Sequence, residues 1–270
     1  MNTESNFIEF KNVERIWAIG SIHSKFDSLK SIKNHILSNF NRGDKLVFLG
    51  NVIGLGNKGK QTITSILDLR FKLMAKHCLD SNEIVFLRGS QEEMFLKLMQ
   101  LQTAPYPLDI VSWMFDHGVD KTIESYGFSK NEAKEISSQG AISISKWTSK
   151  LNLVVSKIQG HKNYFSNLKH AAFSSSKKIL FVNRGVDVTR PLSAQNDCFW
   201  WGYQNFSEIN KPYGSFCRIV RGYQSEHLNN LENIKSKTVC TLFDQPLNNN
   251  KILGGVFSDN GEILDLFEST

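Results

Sequence analysis

The sequence has little cysteine and no long apolar run, and each absence narrows what the protein can be. The four cysteines, Cys78, Cys198, Cys217 and Cys240, are widely spaced and form no Cys-x-x-Cys pair. This spacing argues against a disulfide framework and against a zinc knuckle. No run of about 18 apolar residues occurs, and the polar N-terminal stretch has no signal-peptide core. We therefore expect a cytoplasmic protein without a membrane partner.

The length and the hydrophobic content of the chain are sufficient for one large core. With 270 residues, of which 40% are hydrophobic, the chain can bury a single α/β core, so we predict one domain over 1–270. The net charge is +6 and the isoelectric point is near 9.0. Taken over the whole chain, basic residues interleave with acids, which favours a solvated basic surface. Binding to nucleic acid or to a ribosome surface is the alternative.

An apolar run that ends near a glycine and turns into a helical pattern occurs three times in the first hundred residues. The runs are RIWAIG at 15–20, KLVFLG at 45–50 and VFLRG at 85–89. Each is followed by apolar residues at helical spacing, so each predicts a buried strand, a tight turn and a helix. Ser24, with Asp27 three residues later, fits the N-cap of the first helix. Turns that follow neighbouring parallel strands meet at one edge of the sheet, where α/β proteins carry their chemistry.

These turns resemble the metal-site motifs of the calcineurin-like metallophosphoesterases, and in particular the bacterial branch of the phosphoprotein phosphatases. GSIHS at 20–24 is similar to Gly-Asp-x-His-Gly, and GNVIGLG at 50–56 is similar to Gly-Asp-x-x-Asp-Arg-Gly. RGSQE at 88–92 is similar to the Gly-Asn-His-Glu motif with its preceding arginine. FVNRG at 181–185 resembles Phe-Val-His-Ala-Gly. The resemblance covers about residues 15–268, with the motifs in the family's order.

The resemblance implies an α/β fold, a two-sheet metallophosphoesterase-type sandwich flanked by helices. A mainly helical insertion at about 105–173 is expected to pack over the edge of the site, with Ser129 and Glu132 forming a capping box. The closing runs KTVCTLF, KILGGVF and GEILDLF look like terminal antiparallel strands of the second sheet. The insertion's histidines have no ligand spacing, so we expect surface or packing roles for His117, His161 and His170.

The chain departs from the family in the polar residues of these turns. Only Glu92 matches a conserved polar position of the third motif. The positions of metal ligands hold Ser21, His23, Asn51, Ser90, Asn183 and Tyr223. The remaining family roles fall on other types: Gln91 replaces the acid/base histidine, Gly54 its orienting aspartate, and Leu55 and Tyr203 the two phosphate-binding arginines.

These substitutions remove the groups that a binuclear centre needs. Two divalent cations about 3.5–4 Å apart require ionised carboxylates, one of them bridging, together with imidazole nitrogens. The six positions offer no carboxylate and one histidine, so we expect no stable metal, no cofactor and no activated water. The predicted function is that of a pseudoenzyme, a phosphatase-like fold that acts by binding or scaffolding with a protein partner.

Two further possibilities stay open from the sequence. A phosphoesterase with a displaced or mononuclear metal site could use Glu92, Asp187 or Asp197. The emptied pocket could also take a phosphate-containing anion if two of three neighbouring arginines point inward. The alternative to an anion site is that these arginines form salt bridges at the rim with acids such as Glu92. The arginines are Arg88, Arg184 and Arg221.

Overall fold

The fold is built on two five-stranded sheets packed face to face. The structure is a computed structural model that describes residues 6–202, 206–222, 238–242 and 251–270. One sheet has the strand order β1-β5-β6-β7-β8 and the other has the order β10-β9-β2-β3-β4. The strands are β1 (Phe7–Phe10), β2 (Ile16–Ile19), β3 (Lys45–Phe48), β4 (Ile84–Phe86), β5 (Ala171–Ser174), β6 (Ile179–Val182), β7 (Arg218–Arg221), β8 (Val239–Thr241), β9 (Leu253–Phe257) and β10 (Ile263–Glu268).

The helices cover the outside of the sandwich. They are α1 (Phe26–Asn39), α2 (Gly59–His77), α3 (Ser90–Leu98), α4 (Pro107–Asp116), α5 (Val119–Ser125), α6 (Lys130–Ser138), α7 (Ala141–Lys157), α8 (His161–Ser166) and α9 (Cys198–Trp201). One apolar cluster lies between the sheets and includes Phe10, Val47, Phe181 and Phe257. A larger cluster joins α1, α2 and α3 to the helices at 107–166 and includes Phe95 and Leu151, so those helices share their core with the rest of the chain.

The three predicted strand-turn-helix units are confirmed. β2, β3 and β4 are neighbouring parallel strands, and they lead into α1, α2 and α3 respectively. All four residues of β2 and of β3 are buried, as expected for strands covered on both faces. Because the three strands run in the same direction, their following turns emerge at the same edge of the sheet. The predicted α/β two-sheet sandwich is therefore the observed fold.

The closing strands divide between the two sheets, which corrects one expectation. β8, from the run KTVCTLF, pairs in parallel with β7 in the first sheet. β9 and β10 are antiparallel, as predicted, but they extend the sheet that contains β2. The sequence pattern of a strand does not encode its partner, which is chosen by the tertiary packing.

Two local boundaries also differ from the sequence expectation, whereas one is confirmed. The helical insertion ends before the predicted 173, because β5 starts at Ala171 and pairs with β1. α1 begins after Lys25, and no side chain caps it, so the assignment of Ser24 as N-cap is wrong. Ser129 does cap α6, since its side chain accepts from the backbone N–H groups of Asn131 and Glu132, which confirms the Ser129 half of the predicted capping box.

No helix within the described ranges is long and apolar enough to cross a membrane. Of the cysteines, Cys198 is buried, Cys78 and Cys217 are exposed, and all three are free thiols.

Candidate functional site

The candidate site lies where the turns that follow β2 and β3 meet the turn that follows β6. The backbone N–H groups of Ile22 and His23 donate to the carbonyl oxygen of Asn51, at 3.0 and 2.8 Å. From the other sheet, the side-chain Nδ2 of Asn183 donates to the carbonyl oxygen of Leu49 at 2.6 Å. Hydrogen bonds thus join turns from both sheets at this point.

Two further backbone hydrogen bonds join turns at the same edge of the sandwich. The Gly222 N–H, after β7, donates to the carbonyl oxygen of Asn183, and the Ser21 N–H donates to the carbonyl oxygen of Gly222, both at 3.0 Å. Ser21, Asn51 and Asn183 are fully buried, and His23 is 3% exposed. With Ser90, whose hydroxyl donates to the Asn51 Oδ1 at 3.2 Å, five of the six predicted ligand positions meet at one edge. Tyr223 and Tyr203 lie outside the described residues.

Glu92 is the centre of the hydrogen bonding between the turns. Its Oε2 accepts from the backbone N–H groups of Asn51 at 2.8 Å and Gly89 at 3.0 Å. Its Oε1 accepts from the N–H groups of Val52 at 2.7 Å and Ile53 at 3.3 Å. One carboxylate thus connects the turn after β3 to the start of α3.

Burial dominates the electrostatics of Glu92. The side chain is fully buried, and this burial raises the pKa of Glu92, while the amides of Asn51, Ile53 and Val52 oppose the rise by favouring the carboxylate. The hydroxyl of Tyr164 also donates to Oε1 at 3.3 Å. Burial, together with the neighbouring carboxylate, raises the pKa of the Tyr164 hydroxyl. Both oxygens of the Glu92 carboxylate accept hydrogen bonds, so its contacts are those of a residue that holds the two turns together rather than of a metal ligand.

Asn51, which the resemblance places at the bridging aspartate, binds neighbouring residues of α3. Its Oδ1 accepts from the Gln91 N–H at 3.0 Å and from the Ser90 hydroxyl at 3.2 Å. Both donors belong to the first turn of α3, whose N–H groups have no partner inside the helix. Asn51 therefore caps α3 from another turn. A neutral carbonyl oxygen bound in this way is a poor substitute for a bridging carboxylate.

Gln91, in the place of the acid/base histidine, ties α3 to the helical insertion. Its Nε2 donates to the carbonyl oxygen of His117 at 2.8 Å. Its side chain lies over Gly54, where a Cβ would come within 2.1 Å of the Gln91 Oε1. Gly54 replaces the orienting aspartate and has φ +89°. Leu55, in place of a phosphate-binding arginine, packs against Gly118, where a Cβ would approach its Cδ2 to 2.6 Å. This corner is filled by an amide and an aliphatic side chain.

Several buried polar atoms at this edge make no hydrogen bond to any described residue. They are the Ser21 Oγ, the Asn51 Nδ2, the Gln91 Oε1 and the Asn183 Oδ1. Each belongs to a neutral side chain, and together they supply both donors and acceptors. Clusters of this kind are unusual in protein interiors, where most buried polar atoms are paired. The edge thus contains buried polar atoms that can both donate and accept hydrogen bonds, and none of these four carries a formal charge.

The three neighbouring arginines have defined contacts. Arg88 forms an ion pair with Glu93 at 3.1 Å, and its guanidinium lies 5.4 Å from the Trp200 ring centroid. The predicted rim salt bridge thus involves Glu93 and not Glu92, which is engaged by backbone amides. Arg221 is 6% exposed, with its guanidinium 4.2 Å from the Phe206 ring centroid.

Arg221 also reaches the third arginine. Its Nη1 donates to the carbonyl oxygen of Arg184 at 3.5 Å. The side chain of Arg184 lies against Gly202, where a Cβ would be 3.3 Å from the Arg184 Nε. Of the three, Arg88 has its charge balanced by Glu93, which weakens the case for a phosphate site that uses it.

The acids proposed for a displaced metal site have other contacts. The Asp187 Oδ1 accepts from the Thr189 N–H at 2.9 Å and from its hydroxyl at 2.6 Å, and Oδ2 lies 3.0 Å from the Arg190 Nε. The Thr189 hydroxyl, aided by the Arg190 charge, lowers the pKa of Asp187. Asp197 is exposed at the start of α9. Within the described part of the chain, no three His, Cys, Asp or Glu side chains are grouped so as to hold a metal ion.

The insertion's histidines have the packing or surface roles that the sequence predicts. His161 is fully buried; its Nε2 lies 3.0 Å from the Thr64 hydroxyl and its Nδ1 lies 2.7 Å from the Tyr126 hydroxyl. His170 is half-buried with its ring beside Trp200, whereas His117 is exposed and stacks on Trp113.

Protonation of His161 is expected to destabilise the fold. Burial lowers the pKa of His161 to about 4, and burial also lowers the pKa of His170 to about 4. The unfolded chain, with an ordinary pKa near 6.5, binds protons first as the pH falls. The contribution of each neutral histidine to the free energy of unfolding is therefore fully present above about pH 6.5. It is lost as the pH falls from about 6.5 to 4, by up to about 3 kcal/mol for a fully buried histidine.

Urea unfolding at several pH values measures this loss. His161→Gln should reduce the dependence of the unfolding free energy on pH in that window, leaving the part due to His170. An unchanged pH dependence in the variant would show that His161 does not titrate there.

Tyr164 is the main contact that sequence reasoning missed. It lies on α8, far along the chain from Glu92, and it meets the site because α8 packs beside α3. Its ring lies 5.3 Å from that of Phe86 on β4. Nothing in the sequence around Tyr164 marks it, since a tyrosine at helical spacing is ordinary core material.

Comparisons with known proteins support the fold. No family model matches the chain, and no curated protein matches it. Among solved structures, a candidate diadenosine tetraphosphatase has a TM-score of 0.54 and 14% identity, over 98% of this chain and 98% of its own. A metallophosphoesterase from Sphaerobacter thermophilus has a TM-score of 0.48 and 13% identity, over 95% of this chain and 88% of its own.

A serine/threonine phosphatase from Saccharomyces cerevisiae is also similar, with a TM-score of 0.47 and 12% identity over 97% of this chain and 82% of its own. Identities this low show the fold alone. The chain shares its fold with the first of these structures, the candidate diadenosine tetraphosphatase, and the two-sheet α/β sandwich predicted from the motifs is confirmed.

Proposed function

We propose that this chain is a non-catalytic protein with a metallophosphoesterase fold, which acts by binding or scaffolding a protein partner. The family's mechanism needs two dications held by carboxylates and imidazoles, and a water made acidic by those ions. At the matching described positions stand Ser21, His23, Asn51, Ser90 and Asn183. Four of these five are neutral hydroxyl or amide side chains, which are weak ligands for such ions.

One observation carries the proposal. The single conserved acid, Glu92, accepts hydrogen bonds from four backbone N–H groups, at 2.7 to 3.3 Å, and from Tyr164. The group that replaces the bridging ligand, Asn51 Oδ1, accepts from α3 in the same way. What this chain has kept of the motifs thus holds the turns together, and what it has lost is the set of reactive groups.

Metal analysis of the purified protein tests the proposal. After dialysis against Mn²⁺ or Zn²⁺ and removal of free ions, we expect well below one equivalent bound at these turns, because no carboxylate is available there. We also expect no hydrolysis of para-nitrophenyl phosphate above the buffer rate. Thermal unfolding should be the same with and without chelator, since a bound ion would stabilise the folded state.

Two variants sharpen this test. Gln91→His restores the acid/base residue type, and it should give no activity, because a general acid has nothing to act on without a metal-bound nucleophile. The double variant His23→Ala/Asn51→Ala is the control for any metal that is found. About two equivalents of metal in the natural sequence, lost in that double variant, would contradict the proposal.

Three parts of the sequence interpretation stay predictions. The existence of a protein partner, the cytoplasmic location and the assignment to the bacterial branch rest on motifs and composition. A metallophosphoesterase with a displaced or mononuclear site is the alternative that the metal analysis addresses directly. Its candidate acids, Glu92 and Asp187, would each have to break several hydrogen bonds to bind an ion.

A further inference from the structure

The excess of basic over acidic residues in this chain lies in one segment, where the expected interleaving with acids is absent. Residues 136–186 contain eight Lys and Arg residues and no Asp or Glu. The rest of the chain has 24 basic and 26 acidic residues, so it is slightly negative. A segment whose charged residues are all basic produces a positive electrostatic potential on the surface where its side chains reach solvent.

Helix α7 presents a stripe of this charge to solvent. Lys146, Lys150, Leu153 and Lys157 follow one another at i, i+4, i+7 and i+11, which places them on one side of a helix. All four are exposed, Leu153 by 54%, and Ile142 one turn earlier is exposed by 76%. The opposite side of α7 packs into the core. The stripe therefore alternates lysine charge with aliphatic surface.

The lysines of this stripe have no acidic partner nearby. Within the described residues, Lys146, Lys150 and Lys157 form no ion pair, and neither does Lys162 on α8. The ion pairs of the structure lie elsewhere, for instance between Lys97 and Glu93 at 3.9 Å. Lys150 lies 5.6 Å from the Phe128 ring centroid. The charge on this face is consequently available to an anionic partner.

A groove of about 650 Å³ runs beside the stripe, between the end of α3, α7 and α8. Leu96, Met99 and Phe165 contribute apolar surface, and Leu153 and Ser156 form part of the α7 wall. Lys162 carries the groove's only formal charge among its lining residues. Its size is within the range of sites that enclose a few side chains or a small ligand.

We propose that this face binds an acidic peptide segment of a partner protein, with aliphatic side chains in the groove and carboxylates on the lysine stripe. The apolar lining takes up the partner's aliphatic groups. Lys162 in the groove and the exposed lysines of the α7 stripe supply the positive charge for its carboxylates. An amphipathic peptide laid along a groove is a common mode of recognition. The charge complementarity steers the encounter and selects against basic partners.

The surface favours peptide over nucleic acid. Phosphate recognition commonly uses arginine, and single-stranded nucleic acid stacks its bases on exposed aromatic rings. The stripe contains lysine and no arginine, and its exposed apolar residues are the aliphatic Ile142 and Leu153. A phosphate backbone gains little from an aliphatic side chain between two lysines, whereas a peptide gains apolar burial.

This inference goes beyond the proposed loss of catalysis and does not depend on it. The groove lies at the C-terminal end of α3, while Gln91 and Glu92 of the phosphoesterase turns lie at its N-terminal end. Peptide binding at the groove and metal binding at the turns can therefore be measured separately. Failure of one leaves the other intact.

Selection from a library of random peptides of about twelve residues, with the full chain immobilised, tests the proposal. We expect enrichment of sequences with net negative charge and two or three large aliphatic residues. The affinity of an enriched, fluorescein-labelled peptide is then measured by anisotropy. Lys157→Glu/Lys162→Glu and, separately, Leu153→Asp should each weaken binding by about tenfold or more. All three residues are exposed, so the variants should keep the unfolding temperature of the parent.

A matched control has the same charge change outside the groove. Lys11 and Lys211 are exposed and do not line it, so Lys11→Glu/Lys211→Glu should change affinity by less than about threefold. Labelled poly(U) RNA is titrated in parallel, at low and at physiological salt. Acidic-aliphatic peptides that lose affinity only in the groove variants support the proposal. RNA binding without such peptides, no enrichment, or equal losses in the control variant would overturn it.

Discussion

Glu92→Gln should lower the free energy of unfolding by about 3 kcal/mol or more, the largest loss we expect from any single-atom exchange in this chain. The carboxylate accepts from four backbone N–H groups and from Tyr164, and it is fully buried. Glutamine retains one acceptor oxygen and places an NH₂ donor against N–H donors. Some of these N–H groups then become buried and unpaired. Urea-induced unfolding, followed by fluorescence, measures the change.

The neighbouring acid provides the matched control. Glu93→Gln makes the same chemical change one residue later, where the largely buried side chain pairs with Arg88 and Lys97, whose side chains are 26% and 65% exposed. Ion pairs near the surface contribute little, so this variant should lose less than about 1 kcal/mol. Equal losses in the two variants would show that the bonds of Glu92 do not hold the turns together.

Gly50→Ala should destabilise the fold by about 3 kcal/mol or more, through contact as well as conformation. Gly50 has φ +84°, and a Cβ there would lie 2.7 Å from the Gly89 backbone nitrogen and 2.9 Å from the Asn183 Nδ2. The backbone of Gly89 cannot move away easily, because Glu92 binds its N–H. The turns would have to separate, which breaks hydrogen bonds that join the two sheets. The free energy of unfolding in urea is the readout.

Gly127→Ala separates the two causes. Gly127 has nearly the same φ, +88°, but nothing lies within 4 Å of the Cβ that the variant would add. Its loss should be about 1–2 kcal/mol, the contribution of the left-handed conformation alone. If Gly50→Ala loses no more than Gly127→Ala, the close approach of the turns is not a constraint on the fold.

These expectations assign a common role to the motif residues that the chain has kept. Gly50, Gly89 and Glu92 determine the path of the backbone at the edge where the strands end. The residues that differ from the family's motifs are those that the resemblance places around an ion. The bonds that Glu92 makes to the turns use other atoms, so these bonds can form whichever polar residues stand at those positions.

Much of the fold could be predicted from the sequence. Strands β2, β3 and β4 appear as short apolar runs before glycine, and the helices after them appear as apolar residues at helical spacing. The cap at Ser129 was readable for the same reason, since it depends on residues three positions apart. The pattern at Ser24 predicts an N-cap that is not formed. The backbone at His23 and Ser24 is left-handed, with φ of 47° and 61°, so α1 begins later, after Lys25.

The sequence predicted which residues come together at the candidate site, but it did not predict their contacts. The motif order indicated that Ser21, Asn51 and Asn183 come together, because strand ends converge in such sheets. It did not indicate that Asn51 caps α3 or that Gln91 binds the carbonyl of His117. Those contacts join residues that are remote in sequence, and they exist only once the helices have packed.

Two features follow from the sequence alone, because periodicity and residue type act locally: the layered α/β architecture, and the lack of carboxylates at the positions that the resemblance assigns to metal ligands. Which atoms of the polar groups form bonds depends on the tertiary packing. Glu92 binds the backbone of two turns, Arg88 pairs with Glu93, and α3, α7 and α8 together form a groove that Lys162 lines. Distances and burial set the strength of every polar interaction, and these depend on packing between segments far apart in the chain.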